Sequence, residues 1–149
     1  MQKRPLKQVA ISACLLGDLC RYDGKIKIHN NVITAYEGWK IIPFCPEAPL
    51  FGTPRERISV LHVNSQNKII TDETSIDVTQ LLLDETKRFI AENPHLEMIV
   101  LKSKSPSCGL ATTPILNEKR EIIAIGDGIS AALFKKAFPT LQIKDENSF

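Results

Sequence analysis

Short apolar runs, too brief for helices, alternate along this chain with polar stretches rich in glycine and proline. Residues 8–13 read as a strand that ends in small residues. Residues 14–24 read as a loop, with Gly17 and Asp23-Gly24 as breakers. A helix is predicted over 30–37, with Gly38 just past its end, and a second strand over 39–44, bounded by Pro46 and Pro49. Residues 46–57 hold Pro46, Pro49, Gly52 and Pro54 and predict a long loop, a kind of segment that often carries function in compact domains. Residues 58–63 predict an extended segment, 64–67 a turn, and 68–71 the strand after it.

The clearest helix covers 75–92. Thr74-Ser75-Ile76-Asp77 fits a capping box at its start, and Val78, Leu81, Leu82, Phe89 and Ile90 follow helical spacing until Asn93-Pro94 stops it. A strand at 97–101 and a loop at 102–109 follow. The apolar run 121–125 leads through Gly126-Asp127-Gly128 into a helix that runs to Ala137 and stops at Pro139, and 141–143 predict a short last strand. Strands alternating with helices predict a compact three-layer α/β architecture with a mostly parallel sheet, Rossmann-like in its layering. No repeat, linker or low-complexity tract interrupts it.

Composition narrows the class. The 149 residues, 43% hydrophobic and 24% charged, fit one α/β domain over 1–149 with one core. The formal net charge of +2 comes from interleaved acids and bases, so no basic block points to a nucleic-acid polymer and no acidic tail is present. The start is basic, but the apolar run after it soon meets Asp18, Arg21 and Asp23, which fits neither a signal peptide nor a membrane span. The cytoplasm is therefore the expected compartment, and disulfides are disfavoured there.

That expectation gives the four cysteines their interest. None falls in a close Cys-x-x-Cys pair, so zinc-finger and ferredoxin spacings are absent. Three of them sit where a strand hands over to a loop: Cys14 after the first strand, Cys45 opening Cys45-Pro46-Glu47, and Cys108 within Ser105-Pro106-Ser107-Cys108-Gly109. In an open α/β sheet, ligands collect outside the carboxyl ends of the strands. A single cysteine in apolar company is ordinarily a small buried hydrophobe. The set of three, each beside Ser, Gly or Pro, opens a second reading: one shared metal centre with a coordination position left open. Cys20 is either a fourth ligand that closes such a site, or a redox-active or packing thiol nearby.

Glu47 is a candidate general acid or base, or else a loop acid or helix cap. Ser105 is a candidate for holding a substrate or a water, or else a turn residue before Pro106. Arg55 is a candidate clamp for an anionic or carbonyl group, or else a surface charge. Arg21 and Asp23 read best as a mutual pair. Gly126-Asp127-Gly128 lacks dinucleotide-binding spacing; it either offers amides at a helix start or, the better reading, forms a tight turn with Asp127 as a cap. His29, His62 and His95 fall in no ligand pattern and read as ordinary.

Taken together, these segments resemble a family formerly labelled a domain of unknown function, which includes the 2-thiouracil desulfurases. The matching stretches are Ser12-Ala13-Cys14-Leu15-Leu16-Gly17, Cys20-Arg21-Tyr22-Asp23-Gly24, Cys45-Pro46-Glu47, Pro54-Arg55, the run from Leu101 to Gly109, and Gly126-Asp127-Gly128-Ile129-Ser130-Ala131-Ala132-Leu133. The resemblance implies a [4Fe-4S] cluster held by Cys14, Cys45 and Cys108, with Glu47 and Ser105 as catalytic residues. It implies an enzyme that removes sulfur from a small thiocarbonyl compound such as a thiolated nucleobase. Two departures bear on the substrate. Where the family has glycines after Cys-Pro-Glu, this chain has Ala48-Pro49-Leu50-Phe51-Gly52, and Phe51 is expected to narrow the pocket. Leu110-Ala111-Thr112-Thr113-Pro114 replaces the family's Tyr-Asp-Gly stretch. Two rival functions stand beside this one: a non-catalytic cluster or metal carrier, favoured by a fourth thiolate from Cys20, and a thiol redox protein using Cys14 and Cys20 as a pair.

Overall fold

A computed structural model describes residues 6–17, 28–52 and 54–149. Cys20, Arg21 and Asp23, and with them the fourth-ligand, redox-pair and ion-pair readings, lie outside these residues. Two four-stranded sheets form the frame. The first joins β1 (Gln8–Ser12), β2 (Lys40–Phe44), β5 (Leu96–Leu101) and β8 (Ile143–Asp145) in the order β2-β1-β5-β8, every neighbouring pair parallel. Helices flank it, and the expected α/β class with a parallel sheet is the one observed.

Parallel neighbours need long crossovers. The first runs through α1 (Asn30–Ala35). The two others carry the second sheet. Between β2 and β5 lie the hairpin of β3 (Ile58–Val63) and β4 (Gln66–Thr71) and the helix α3 (Thr79–Glu92). Between β5 and β8 lie the hairpin of β6 (Thr113–Leu116) and β7 (Ile122–Gly126) and the helix α4 (Ile129–Ala137). The hairpins meet through a parallel β3·β6 pairing, which gives the order β4-β3-β6-β7.

Strand alternation sorts the core into layers, because successive side chains point to opposite faces. Ala10, Ile99 and Leu101 pack with Phe89 and Phe134 of α3 and α4 on one face of the parallel sheet. Val9, Ile11 and Val100 pack with Val32 and Tyr36 of the α1 region on the other. Phe44, the last residue of β2, lies 4.7 Å from the Phe89 ring and 5.0 Å from the Phe134 ring, centroid to centroid. That aromatic packing fixes the strand end from which Cys45 emerges. Pro43 is tolerated because β2 is an edge strand.

Several expectations are corrected. Residues 46–57 are not all loop, since Ala48–Phe51 form a short helix, α2. α3 starts at Thr79 rather than at 75, and the capping box does not form. Instead, a Glu56 carboxylate oxygen accepts the amides of Glu73 and Thr74, and the other accepts the Thr74 hydroxyl. These tertiary bonds use up the groups that a box would need. Leu81 faces solvent at 50% exposure, so the buried stripe of α3 is Leu82, Thr86 and Phe89. The apolar run over 121–125 becomes β7, an exposed edge strand. The last strand begins at Ile143.

Candidate active site

The three strands that precede the cysteines are neighbours in the sheet, in the order β2-β1-β5. Because they run parallel, their carboxyl ends open on one side. Cys14 lies in the single turn of 3-10 helix that follows β1, and Cys45 directly follows β2. Cys108 lies in the loop beyond β5. All three line one cleft of about 570 Å³, together with Glu47, Ser105 and Arg55. The opposite wall comes from the second sheet and its connections, through Arg57, Ser59, Val60, Asp72 and Leu116.

Cys45 and Cys108 each have a defined polar setting. The Ala48 amide donates to Cys45 Sγ at 3.4 Å. Ser12 Oγ accepts the Lys102 amide at 2.9 Å and turns its own hydroxyl to the Cys108 sulfur. Burial pushes the Cys108 thiol well above its ordinary value; the Ser12 hydrogen bond works against this, and the neighbouring Cys14, Cys45 and Glu47 raise it further. Negative charge on the Cys108 sulfur is thus opposed by its surroundings, which is an environment suited to a bound cation.

The Cys108 loop is held from within and from behind. Ser105 Oγ accepts the amides of Ser107 at 3.2 Å and Cys108 at 3.0 Å, closing a hydroxyl-capped turn. The backbone at the start of α4 bonds the same loop, with Gly128 N on Gly109 O at 2.7 Å and Ser130 N on Ser107 O at 2.8 Å. The glycine-flanked Asp127 is therefore not a cap for α4. It accepts the Ala111 amide at 2.8 Å and pairs with Lys135 at 2.9 Å, while Gly128 lets two backbones touch. A Cβ at Gly128 would stand 2.5 Å from the carbonyl carbon and oxygen of Ser107. Gly128→Ala is expected to lower folding stability by about 1–3 kcal/mol, the usual cost of overpacking. Thermal unfolding checks this, and an unchanged Tm would show that the contact relaxes freely.

Glu47 sits at the entry to α2 without capping it. Its side chain turns into the cleft, 13% exposed, where Oε1 lies 3.4 Å from Arg55 Nη2 and Oε2 accepts the Ser107 hydroxyl at 2.9 Å. Arg55 is no surface charge: its side chain is 6% exposed. Phe51 does not narrow the pocket. It packs on the second-sheet core of Ile58, Val60, Ile69, Val78 and Leu82 and is absent from the cleft lining. In the altered segment, Thr112 Oγ1 accepts the Lys104 amide at 2.8 Å and the Thr113 hydroxyl donates to Ser105 O at 2.7 Å, so these threonines brace the loop. His29, read as ordinary, also lines the cleft. Sequence reasoning gave Ser107 only as a hydroxyl beside Cys108, and Ser12 only as the end of the strand before Cys14. The signal available for both was adjacency to a motif cysteine.

The family model of 2-thiouracil desulfurase matches residues 9–146. The chain belongs to the 2-thiouracil desulfurase family. Among relatives of this desulfurase-family chain is the uncharacterized protein YbbK of Bacillus subtilis (strain 168), 29% identical over 140 residues, covering 87% of this chain and 90% of that protein. Among solved structures, the [4Fe-4S]-dependent thiouracil desulfidase TudS is similar with a TM-score of 0.70 and 26% identity, covering 96% of this chain and 93% of that one. The sequence-level resemblance to 2-thiouracil desulfurases is thereby borne out for the family and for the fold.

Proposed function

We infer that this chain removes sulfur from a small thiocarbonyl compound, of the kind a thiolated pyrimidine presents, using a [4Fe-4S] cluster held by Cys14, Cys45 and Cys108. The observation that carries this reading is the meeting of three thiols, Glu47 and Ser105 in one cleft, delivered from three adjacent strand ends. TudS, similar along nearly the whole chain and [4Fe-4S]-dependent by name, supports it.

The donor set fits the group. Thiolates are the usual ligands of such clusters, and amides and hydroxyls bonded to their sulfurs tune them. The Ala48 amide and the Ser12 hydroxyl stand in that relation to Cys45 and Cys108. Among the described residues, no three His, Cys, Asp or Glu side chains close on a point as ligands of a single metal ion would. A cluster would take each of Cys14, Cys45 and Cys108 on a different iron, so the three thiols need not close on one point. When bound, a cluster with three protein ligands supplies a Lewis-acidic iron with affinity for sulfur.

The chain's own residues do the rest. Glu47 takes the proton of a water whose oxygen replaces sulfur on the thiocarbonyl carbon. Ser105 spends its acceptor capacity on two loop amides. A hydroxyl also has one donor hydrogen, and that of Ser105 is left to orient the substrate or the water. The overall reaction exchanges C=S and H₂O for C=O and H₂S, so no external electrons are needed. Such a cysteine-rich centre suits a compartment that keeps thiols reduced, as the cytoplasm does.

A panel of thiocarbonyl compounds incubated anaerobically with cluster-loaded protein tests this reading. At least one thiolated pyrimidine should release sulfide faster than with a Cys108→Ala control. If none does, the carrier reading replaces the enzyme.

A further inference from the structure

We propose that Ser107 is a positioning residue that, together with Arg55, locks the Glu47 carboxylate in one orientation towards the cleft. The proposal rests on the reading above, in which Glu47 handles the proton. Ser107 is completely buried, and its hydroxyl donates to Glu47 Oε2 at 2.9 Å across sixty positions of sequence. Its own backbone is immobilised: its carbonyl accepts amides from Ser130 and Ala131 at 2.8 and 3.2 Å, and Gly128 packs against it.

The other oxygen of Glu47 is held from a different element. Arg55 Nη2 lies 3.4 Å from Oε1, and Arg55 Nη1 donates to Gly52 O at 3.1 Å, which ties the guanidinium to the end of α2. One oxygen is thus fixed through α4 and the Cys108 loop, the other through the segment after α2. A carboxylate offers about four acceptor positions. Two donors leave the remainder for a water or a substrate proton. A carboxylate held in this way cannot swing out of line, and a misplacement of about 1 Å can cost on the order of 10²-fold in rate.

A serine that only satisfied its own hydroxyl would affect folding and leave turnover alone. The test compares Ser107→Ala, Glu47→Gln and the double variant, prepared anaerobically, by kcat, KM and iron content. Ser107→Ala should lower kcat roughly 10- to 100-fold with KM and iron unchanged. The double variant should be no slower than Glu47→Gln alone, because residues that act through one another are not additive. An undiminished kcat, multiplying effects in the double variant, or iron lost in step with kcat would overturn the proposal. If Ser107→Ala fails to fold, Arg55→Lys carries the same cycle from the other side of the carboxylate. A crystal structure of the variant gives a readout independent of turnover. The proposal expects Glu47 to leave its position, and a carboxylate that stays in place overturns it even if no compound of the panel is a substrate.

Discussion

Alanine at Cys14, Cys45 or Cys108 should each abolish both bound iron and sulfide release. The three thiols emerge from neighbouring strand ends into one cleft, and no second cysteine stands beside any of them in sequence to take its place. Losing one would leave two of the three proposed ligands, too few to hold the proposed cluster. The fold should survive. Cys14 and Cys45 are only partly buried, and replacing buried Cys108 removes little volume. Iron and inorganic sulfide analysis of anaerobically purified variants, alongside circular dichroism, checks this. A variant that keeps full iron would remove that cysteine from the ligand set.

Glu47→Gln should slow turnover by on the order of 10²–10⁴, the usual contribution of a positioned acid or base, with iron content unchanged. Glutamine keeps the shape and one carbonyl oxygen, so Arg55 or Ser107 can still find an acceptor. It cannot take a proton from water. Single-turnover rates of cluster-loaded protein measure the effect. A rate within a factor of about two of the parent would assign the proton to another group and leave Glu47 a structural partner of Arg55.

Much of this site was legible in the chain because its information is local. A short apolar run ending in small residues announces a strand, and a cysteine just past it marks the strand's carboxyl end. Cys14, Cys45 and Cys108 could therefore be placed on one side of a parallel sheet before any coordinates. What failed was non-local. The second sheet was missed because its β3·β6 pairing joins two hairpins inserted in separate crossovers, and because the four residues of β6, which open on Thr113-Pro114, are too few to announce a strand. The start of α3 moved because Glu56, far from it in sequence, captures the amides that a capping box would have used. The Ser107–Glu47 bond spans two motifs, and neither motif alone announces it. Asp127 looked like a helix cap by position, yet Ala111 and Lys135 reach it first.

The most direct measurement follows a thiolated pyrimidine through anaerobic turnover in ¹⁸O-labelled water with no added reductant. Sulfide and the oxygenated pyrimidine should appear in equal amounts, with ¹⁸O in the product at the carbon that carried sulfur. Product that forms only when a thiol or an electron donor is supplied, or that lacks the label, would contradict the account.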